Sequence, residues 1–410
     1  MLTKNSKSYK AILQKEISEI YKFLISHHLE DSNGVYWRNN SSDNEIIIKE
    51  DIYSGVSGIM IFLMAYSSQF ENNNCKDFIF KTMTWLLKYC KENPTDNYSF
   101  YTGRTGTILT IIRAAKLYNR KDVIEESLIL LHDIKKYAKK KDLCNDFLLG
   151  LSGTILGLLH IYHETKSKFC IEILKPLIEI LRKKARCKKD KTFWDTPNFA
   201  NQPLCGLSHG NSGIGFVFLE LGNYFSNEEF MTIARQAFNY ENQFFNYKEN
   251  NWPDFRNSSN VPSEPRQIYN YPSSWCHGAP GIGLIRIRAF EILGSAYASD
   301  LISVGKNILA VRYSNLPDCI CHGVVGNFSF FLEMFKRTKK KKYHDLYMSA
   351  CIETIKRKRR NGSYISGSFD NKKDLSLFLG ISGVGFSFIQ ALSPFKIFSW
   401  QLPILNIENN

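Results

Sequence analysis

Seven times along its 410 residues this chain opens an apolar run with Gly-x-x-Gly. The pairs are Gly55/Gly58, Gly103/Gly106, Gly150/Gly153, Gly210/Gly213, Gly278/Gly281, Gly323/Gly326 and Gly380/Gly383, spaced 45 to 68 positions apart. That spacing holds two helices and their connections, and self-similarity on this scale marks a repeat architecture. The runs after the glycines, such as 59–65 and 154–159, are apolar on nearly every face. Between them lie amphipathic stretches. In 77–90, Phe78, Ile79, Met83, Leu86, Leu87 and Cys90 recur at helical spacing; Ile124, Leu128, Leu131 and Ile134 form a similar stripe. Comparable helices read near 9–26, 170–184, 226–246, 297–312 and 342–357. A helix apolar all round is buried and a striped one lies outside, so each repeat predicts one inner and one outer helix. Glycine at an inner helix start permits a tight turn and close backbone approach. A closed ring buries every inner helix, whereas an open solenoid exposes one inner face. The expectation is therefore an all-α fold: an α/α toroid of seven helix pairs, one domain over 1–410. Asn-, Pro- and Ser-rich or irregular stretches near 183–203 and 251–275 predict loop elaborations, and strand signals are sparse.

Composition narrows the function. At 44% hydrophobic and 22% charged the chain is ordinary globular protein. Ten scattered cysteines in so long a chain suggest reduced thiols and a cytoplasmic setting. The N-terminus lacks the apolar core of a signal peptide, and glycines interrupt the apolar stretch 375–392, which reads as a buried helix. The net charge is +14, with basic runs at 139–141, 339–342 and 356–360. A basic surface attracts nucleic acid, anionic lipid or an acidic peptide. No helix-turn-helix, RNP motif or regular finger spacing accompanies the runs, so they read as solvated helix ends and turns.

Chemistry concentrates before the glycine pairs. Cys276-His277-Gly278 and Cys321-His322-Gly323 repeat one tripeptide of two rare residue types. Cysteine and histidine are preferred zinc ligands, and three or four of these side chains meeting in space would make a zinc site. The two motifs stand 45 positions apart, too far for a finger or ribbon. In a toroid, equivalent repeat positions face one end of the cavity, so Asp146, His209, Cys276 and Cys321-His322 are expected to converge.

With Gly206-x-x-His209-Gly210, Trp275-Cys276-x-Gly278-x-x-Gly281, Cys321-His322-Gly323 and Asp146-x-x-x-Gly150-x-x-Gly153 in this order, the chain resembles the lanthionine synthetase C family, the cyclases of lantibiotic biosynthesis. The resemblance covers essentially the whole chain and implies an α/α toroid of seven helix pairs. It also implies one zinc per chain bound by Cys276, Cys321 and His322, with the fourth position open. By motif the family's acid/base histidine falls on His209 and its neighbouring aspartate on Asp146. The position after the first cysteine is often not histidine in the family, so His277 stays outside the ligand set. Many members carry an arginine shortly before Trp-Cys; here that place reads Tyr271-Pro272-Ser273-Ser274, leaving Arg256 or Arg266 as substitutes. Cys75, Cys90, Cys170 and Cys351 read as core residues. His160 and His163 read as structural, and Cys144, Cys205 and Cys319 receive no role.

The implied reaction adds a cysteine thiol of a dehydrated precursor peptide to dehydroalanine or dehydrobutyrine, giving a thioether ring. A free thiol has a pKa of roughly 8.5, and coordination to zinc removes its proton. His209 then serves as general acid to the enolate or as general base to the thiol. A dehydratase and a membrane transporter are the implied partners in a biosynthetic complex. With no dehydratase- or kinase-like segment, a stand-alone bacterial cyclase and a glutathione-adding relative are both expected readings. A peptide-binding scaffold whose zinc is closed by His277 or Cys319 is a third. A toroid hydrolase with paired carboxylates lacks its acidic pair at the repeat starts.

Overall fold

In a computed structural model the described residues are 6–40, 46–47, 49–140, 142–197, 199–256, 269–312, 314, 316–368 and 374–405. Arg266 and Lys141 lie outside them. Two compact units divide the chain. One comprises 1–96, 101–132 and 313–398; the other comprises 97–100, 133–312 and 399–410.

The first unit holds helices α1 (Ser6–Ser26), α2 (Val56–Phe70), α3 (Asn73–Glu92), α4 (Arg104–Leu117), α5 (Lys121–Ile129), α13 (Val324–Thr338), α14 (Lys341–Asn361) and α15 (Ile381–Leu392). The second holds α6 (Ile134–Tyr137), α7 (Leu151–Thr165), α8 (Lys168–Lys183), α9 (Asn211–Phe225), α10 (Glu228–Asn242), α11 (Ala279–Leu293) and α12 (Ala298–Ala310). Each of the seven expected inner helices, α2, α4, α7, α9, α11, α13 and α15, is N-capped by the first glycine of a pair. Burial follows the sequence pattern: α9 is buried without a break from Asn211 to Gly222. Outer α8 instead buries one stripe, Cys170, Ile173, Leu174, Leu177, Ile178 and Leu181. Two outer helices, α3 and α10, start differently: Asn72 and Asn227 accept the N–H of Cys75 and Phe230 at 3.0 Å, the side-chain caps the glycines cannot provide.

What the glycines supply is mainly space. A Cβ at Gly213 would stand 2.0 Å from the Leu207 carbonyl oxygen, so the helix start could not close on the preceding turn. Among the seven capping glycines only Gly278 has positive φ, at 92°. Five of the seven turns share one hydrogen bond: the N–H groups of Val56, Leu151, Asn211, Val324 and Ile381 each donate to the carbonyl seven residues earlier.

Three local expectations change. The stripe 124–134 is not one helix, because α5 ends at Ile129 and a short α6 begins at Ile134. The apolar stretch 375–392 is helical only from Ile381. Hairpins also occur: β1 (Leu29–Asp31) with β2 (Gly34–Tyr36), β3 (Asn39–Asn40) with β4 (Ile46–Ile47), and β5 (Arg186–Lys188) with β6 (Lys191–Phe193). The first and last follow outer helices and seat a tryptophan. Trp37 donates to the Leu24 carbonyl and Trp194 to the Leu181 carbonyl, both at 2.8 Å. Such small hairpins carry little alternation, which is why their sequences read as loop.

The basic run 356–360 is largely ion-paired. Lys358 meets Glu16 and Glu19, Arg359 meets Glu16, Lys356 and Arg360 meet Glu353, and Arg357 meets Asp318. No helix among the described residues is long and apolar enough to cross a membrane.

Candidate active site

The residues two places before each capping glycine form backbone ladders. In the first unit the Tyr53 N–H donates to the Tyr101 carbonyl (2.9 Å), Phe378 to Tyr53 (3.0 Å) and Cys321 to Phe378 (2.9 Å). In the second, Leu148 donates to Ser208 (3.0 Å) and Ser208 to Cys276 (3.1 Å). These bonds align neighbouring repeats in register. They bring residues far apart in sequence side by side.

In the second unit the ladder unites Asp146, His209, Cys276 and His277. Asp146 is fully buried. Its Oδ1 accepts the Leu149 N–H at 2.6 Å and its Oδ2 meets His209 Nδ1 at 2.9 Å. An ionised carboxylate only accepts, so Nδ1 carries the hydrogen and Nε2 is left to exchange a proton with a ligand. Phe199 stacks on the His209 ring, centroids 4.0 Å apart. The loop carrying His209 is pinned by Glu241, which accepts the N–H groups of Gly206 (2.9 Å) and Ser212 (2.7 Å) and pairs with Arg286. Burial raises the Glu241 pKa, and Arg286 opposes the shift. Cys144 donates its thiol to Asp146 Oδ2 at 3.3 Å; burial, then the carboxylate, push its pKa to about 12.

Cys276 is half-buried, with Ser274 Oγ 3.3 Å from its sulfur. Trp275 anchors this turn by donating to the Gln401 carbonyl at 2.9 Å. His277 is 3% exposed and its ring lies 5.5 Å from that of His209. Burial first, then the nearby Arg256 charge, push its pKa down to about 3, with Asp254 opposing. Arg256 is held by Asp254 at 2.7 Å.

In the first unit the Tyr53 hydroxyl donates to Cys321 Sγ at 2.9 Å. Burial lowers the His322 pKa, and the nearby Gly367 backbone opposes the shift. A Cβ at Gly367 would stand 2.7 Å from Cys319 Sγ and 2.9 Å from His322 Cε1, so a side chain there would have to displace Cys319 or His322. The corner is tied down where Asp318 accepts the Ile365 N–H at 2.8 Å and pairs with Arg357. Burial raises the Asp318 carboxyl to about 6.

A neutral histidine and two thiols suit zinc. Cys276 belongs to the second unit; Cys321 and His322 belong to the first. Among the described residues no three His, Cys, Asp or Glu side chains are gathered closely enough to hold a metal ion. Tyr53, Gly367, Glu241 and Phe199 escape the motif reading. Tyr53 had a signal: it occupies in the first repeat the place Cys276 and Cys321 occupy in theirs.

The sequence pattern described as lanthionine synthetase C-like protein matches residues 46–401. The chain is 24% identical over 394 residues to the lacticin 481/lactococcin biosynthesis protein LcnDR2 of Lactococcus lactis subsp. lactis, covering 89% of this chain but only 39% of that one. It is 21% identical to the glutathione S-transferase LANCL1 of Danio rerio (71% of each chain). It is 22% identical to the nisin biosynthesis protein NisC of Lactococcus lactis subsp. lactis (72% of this chain, 76% of that one). A solved nisin cyclase structure superposes with a TM-score of 0.68 at 17% identity, over 97% of each chain. At that identity the likeness carries the fold alone, and it places the chain in the all-α, α/α toroid class that the seven repeats predict. A match over most of the chain, residues 46–401, makes this protein a member of the lanthionine synthetase C-like family.

Proposed function

We propose that the chain is a zinc-dependent cyclase that closes thioether rings in a dehydrated precursor peptide. The observation that carries this reading is the His209–Asp146 pair at 2.9 Å, on a loop whose Ser208 is bonded to the Cys276 backbone. A proton-exchanging imidazole thereby stands beside a cysteine motif. The zinc ligands in this reading are Cys276, Cys321 and His322, with a fourth position open to substrate. Zinc, when bound, supplies a Lewis acid that makes a peptide thiol reactive at neutral pH.

The chain's own residues do the rest. The substrate sulfur forms a bond to the β-carbon of a dehydroamino acid, the C=C π-bond breaks, and the electron pair moves onto the adjoining carbonyl as an enolate. His209 takes up at Nε2 the proton that the substrate thiol gives up and delivers it to the α-carbon. Asp146 holds the Nδ1–H throughout, and Phe199 covers one face of the ring. The substrate comes from a dehydratase acting on serine and threonine side chains, the partner this chemistry requires. The ten cysteines are free thiols, which supports a reducing, cytoplasmic setting.

Cyclisation does not change peptide mass, so the assay counts free thiols by alkylation. Dehydrated precursor incubated with the zinc-loaded protein is expected to lose alkylatable cysteines faster than in an enzyme-free control. Thiols lost only at the control rate sink the reading. The likeness to LANCL1 favours one second reading, glutathione addition, which the same assay detects as a mass gain when glutathione is supplied.

A further inference from the structure

His277 is a buried imidazole, 3% exposed, and among the described residues neither its Nδ1 nor its Nε2 has a hydrogen-bond partner. A neutral or charged imidazole always carries at least one N–H, and buried donors are almost always satisfied. The nearest carboxylate does not serve it, because Asp254 is taken up by the N–H groups of Arg256 at 2.7 to 3.1 Å. Packing does not demand a histidine here either. The turn is already fixed by Ser274, whose Oγ donates to the His277 carbonyl (2.8 Å) and accepts the His277 N–H (3.1 Å). Opposite the ring the chain carries Gly206, whose φ of 119° favours glycine and whose Cβ position lies 3.6 Å from His277 Nδ1, an ordinary contact.

The ring that faces His277 is His209, 5.5 Å away and inclined by 36°. An enolate has two ends: the α-carbon, which takes the proton, and the carbonyl oxygen two bonds away, which carries the charge. Two imidazoles at this separation can engage both ends of one enolate. We propose that His277 is a catalytic residue that donates its ring N–H to the carbonyl oxygen of the dehydroamino acid, holding the enolate while His209 protonates the α-carbon. The ligand class is an amide carbonyl conjugated to a C=C bond. The proposal rests on the cyclase reading above.

The test uses the zinc-loaded full chain and a dehydrated precursor peptide, with the thiol count as readout. His277→Phe removes the donor and keeps a ring. His277→Asn has an amide too short to reach, and His277→Gln restores a donor at similar length. The expected result is a kcat lowered about 100-fold in His277→Phe and His277→Asn, the usual effect of losing one oxyanion donor. KM and bound zinc should stay unchanged, and His277→Gln should return to within about tenfold of the parent. Should His277→Phe fail to fold, the Asn and Gln pair carries the same comparison. An active parent with equally active His277→Phe and His277→Asn overturns the proposal and leaves the cyclase reading standing. Loss of zinc in the variants overturns it by making His277 a ligand, and a rise in KM alone overturns it by making the contact a ground-state one. A parent that closes no rings overturns both.

Discussion

The hydroxyl of Tyr53 lies 2.9 Å from the sulfur of Cys321 and donates to it, although 268 positions separate the two. Both sit two residues before a capping glycine, in repeats joined through Phe378 by consecutive ladder bonds. A hydrogen bond to sulfur favours the thiolate over the thiol, so Tyr53 would support Cys321 in the ligand role proposed for it.

Tyr53→Phe should therefore weaken zinc binding about tenfold near neutral pH, within the range for partners of metal ligands. Competition with a chelator of known affinity measures it. Unchanged zinc affinity would separate Tyr53 from the metal.

Substitutions at His209 and Asp146 separate proton transfer from metal holding. His209→Asn should keep fold and zinc while slowing cyclisation about 100-fold or more, the usual contribution of a general acid. Asp146→Asn should slow it less, because its amide can hold the Leu149 N–H while losing the carboxylate that orients the imidazole. Rate and ring stereochemistry, each against an enzyme-free control, are the measurements. Zinc lost from His209→Asn would make that residue a ligand instead.

Asp51 is the counterpart of Asp146 in the first repeat: it accepts the Ser54 N–H at 2.7 Å with no histidine beside it. Burial raises its pKa from 3.8 to about 6, against the Ser54 bond. The folded state thus binds a proton more readily than the unfolded state. Asp51's contribution to stability is whole below the unfolded value and is lost as pH rises through about 6. Asp51→Asn should therefore be more stable than the parent at pH 8, by about 3 kcal/mol at most. The gap should close as pH falls towards 4. Denaturant unfolding at both pH values checks the sign.

Glu241 neutralises the fully buried Arg286 and holds two backbone N–H groups of the His209 loop. Glu241→Gln leaves that buried guanidinium with Asp300 as its carboxylate partner, which should cost about 3 kcal/mol and slow cyclisation by misplacing His209. A thermal melt paired with the thiol assay measures both. A variant with parental stability would show that Asp300, which also meets Arg286 at 3.2 Å, neutralises it alone.

By itself the sequence determined the repeat plan. Glycine pairs before runs apolar on every face specify buried inner helices, because no other residue fits a helix start so close to the preceding carbonyl, as at Gly213. Striped segments specify the outer helices for the same reason of burial, and the motif order specified the family. Tertiary structure decided the partnerships. Asp146 meets His209 across 63 positions and Tyr53 meets Cys321 across 268. Both meetings depend on backbone hydrogen bonds between repeats, and any side chain can sit on those bonds. The repeat positions therefore predict that such residues gather, but not which side chains bond to which. The same holds for Gly367 beside His322 and for the unpaired ring of His277: a residue's neighbours, and the hydrogen bonds it fails to make, exist only once the chain has folded around it.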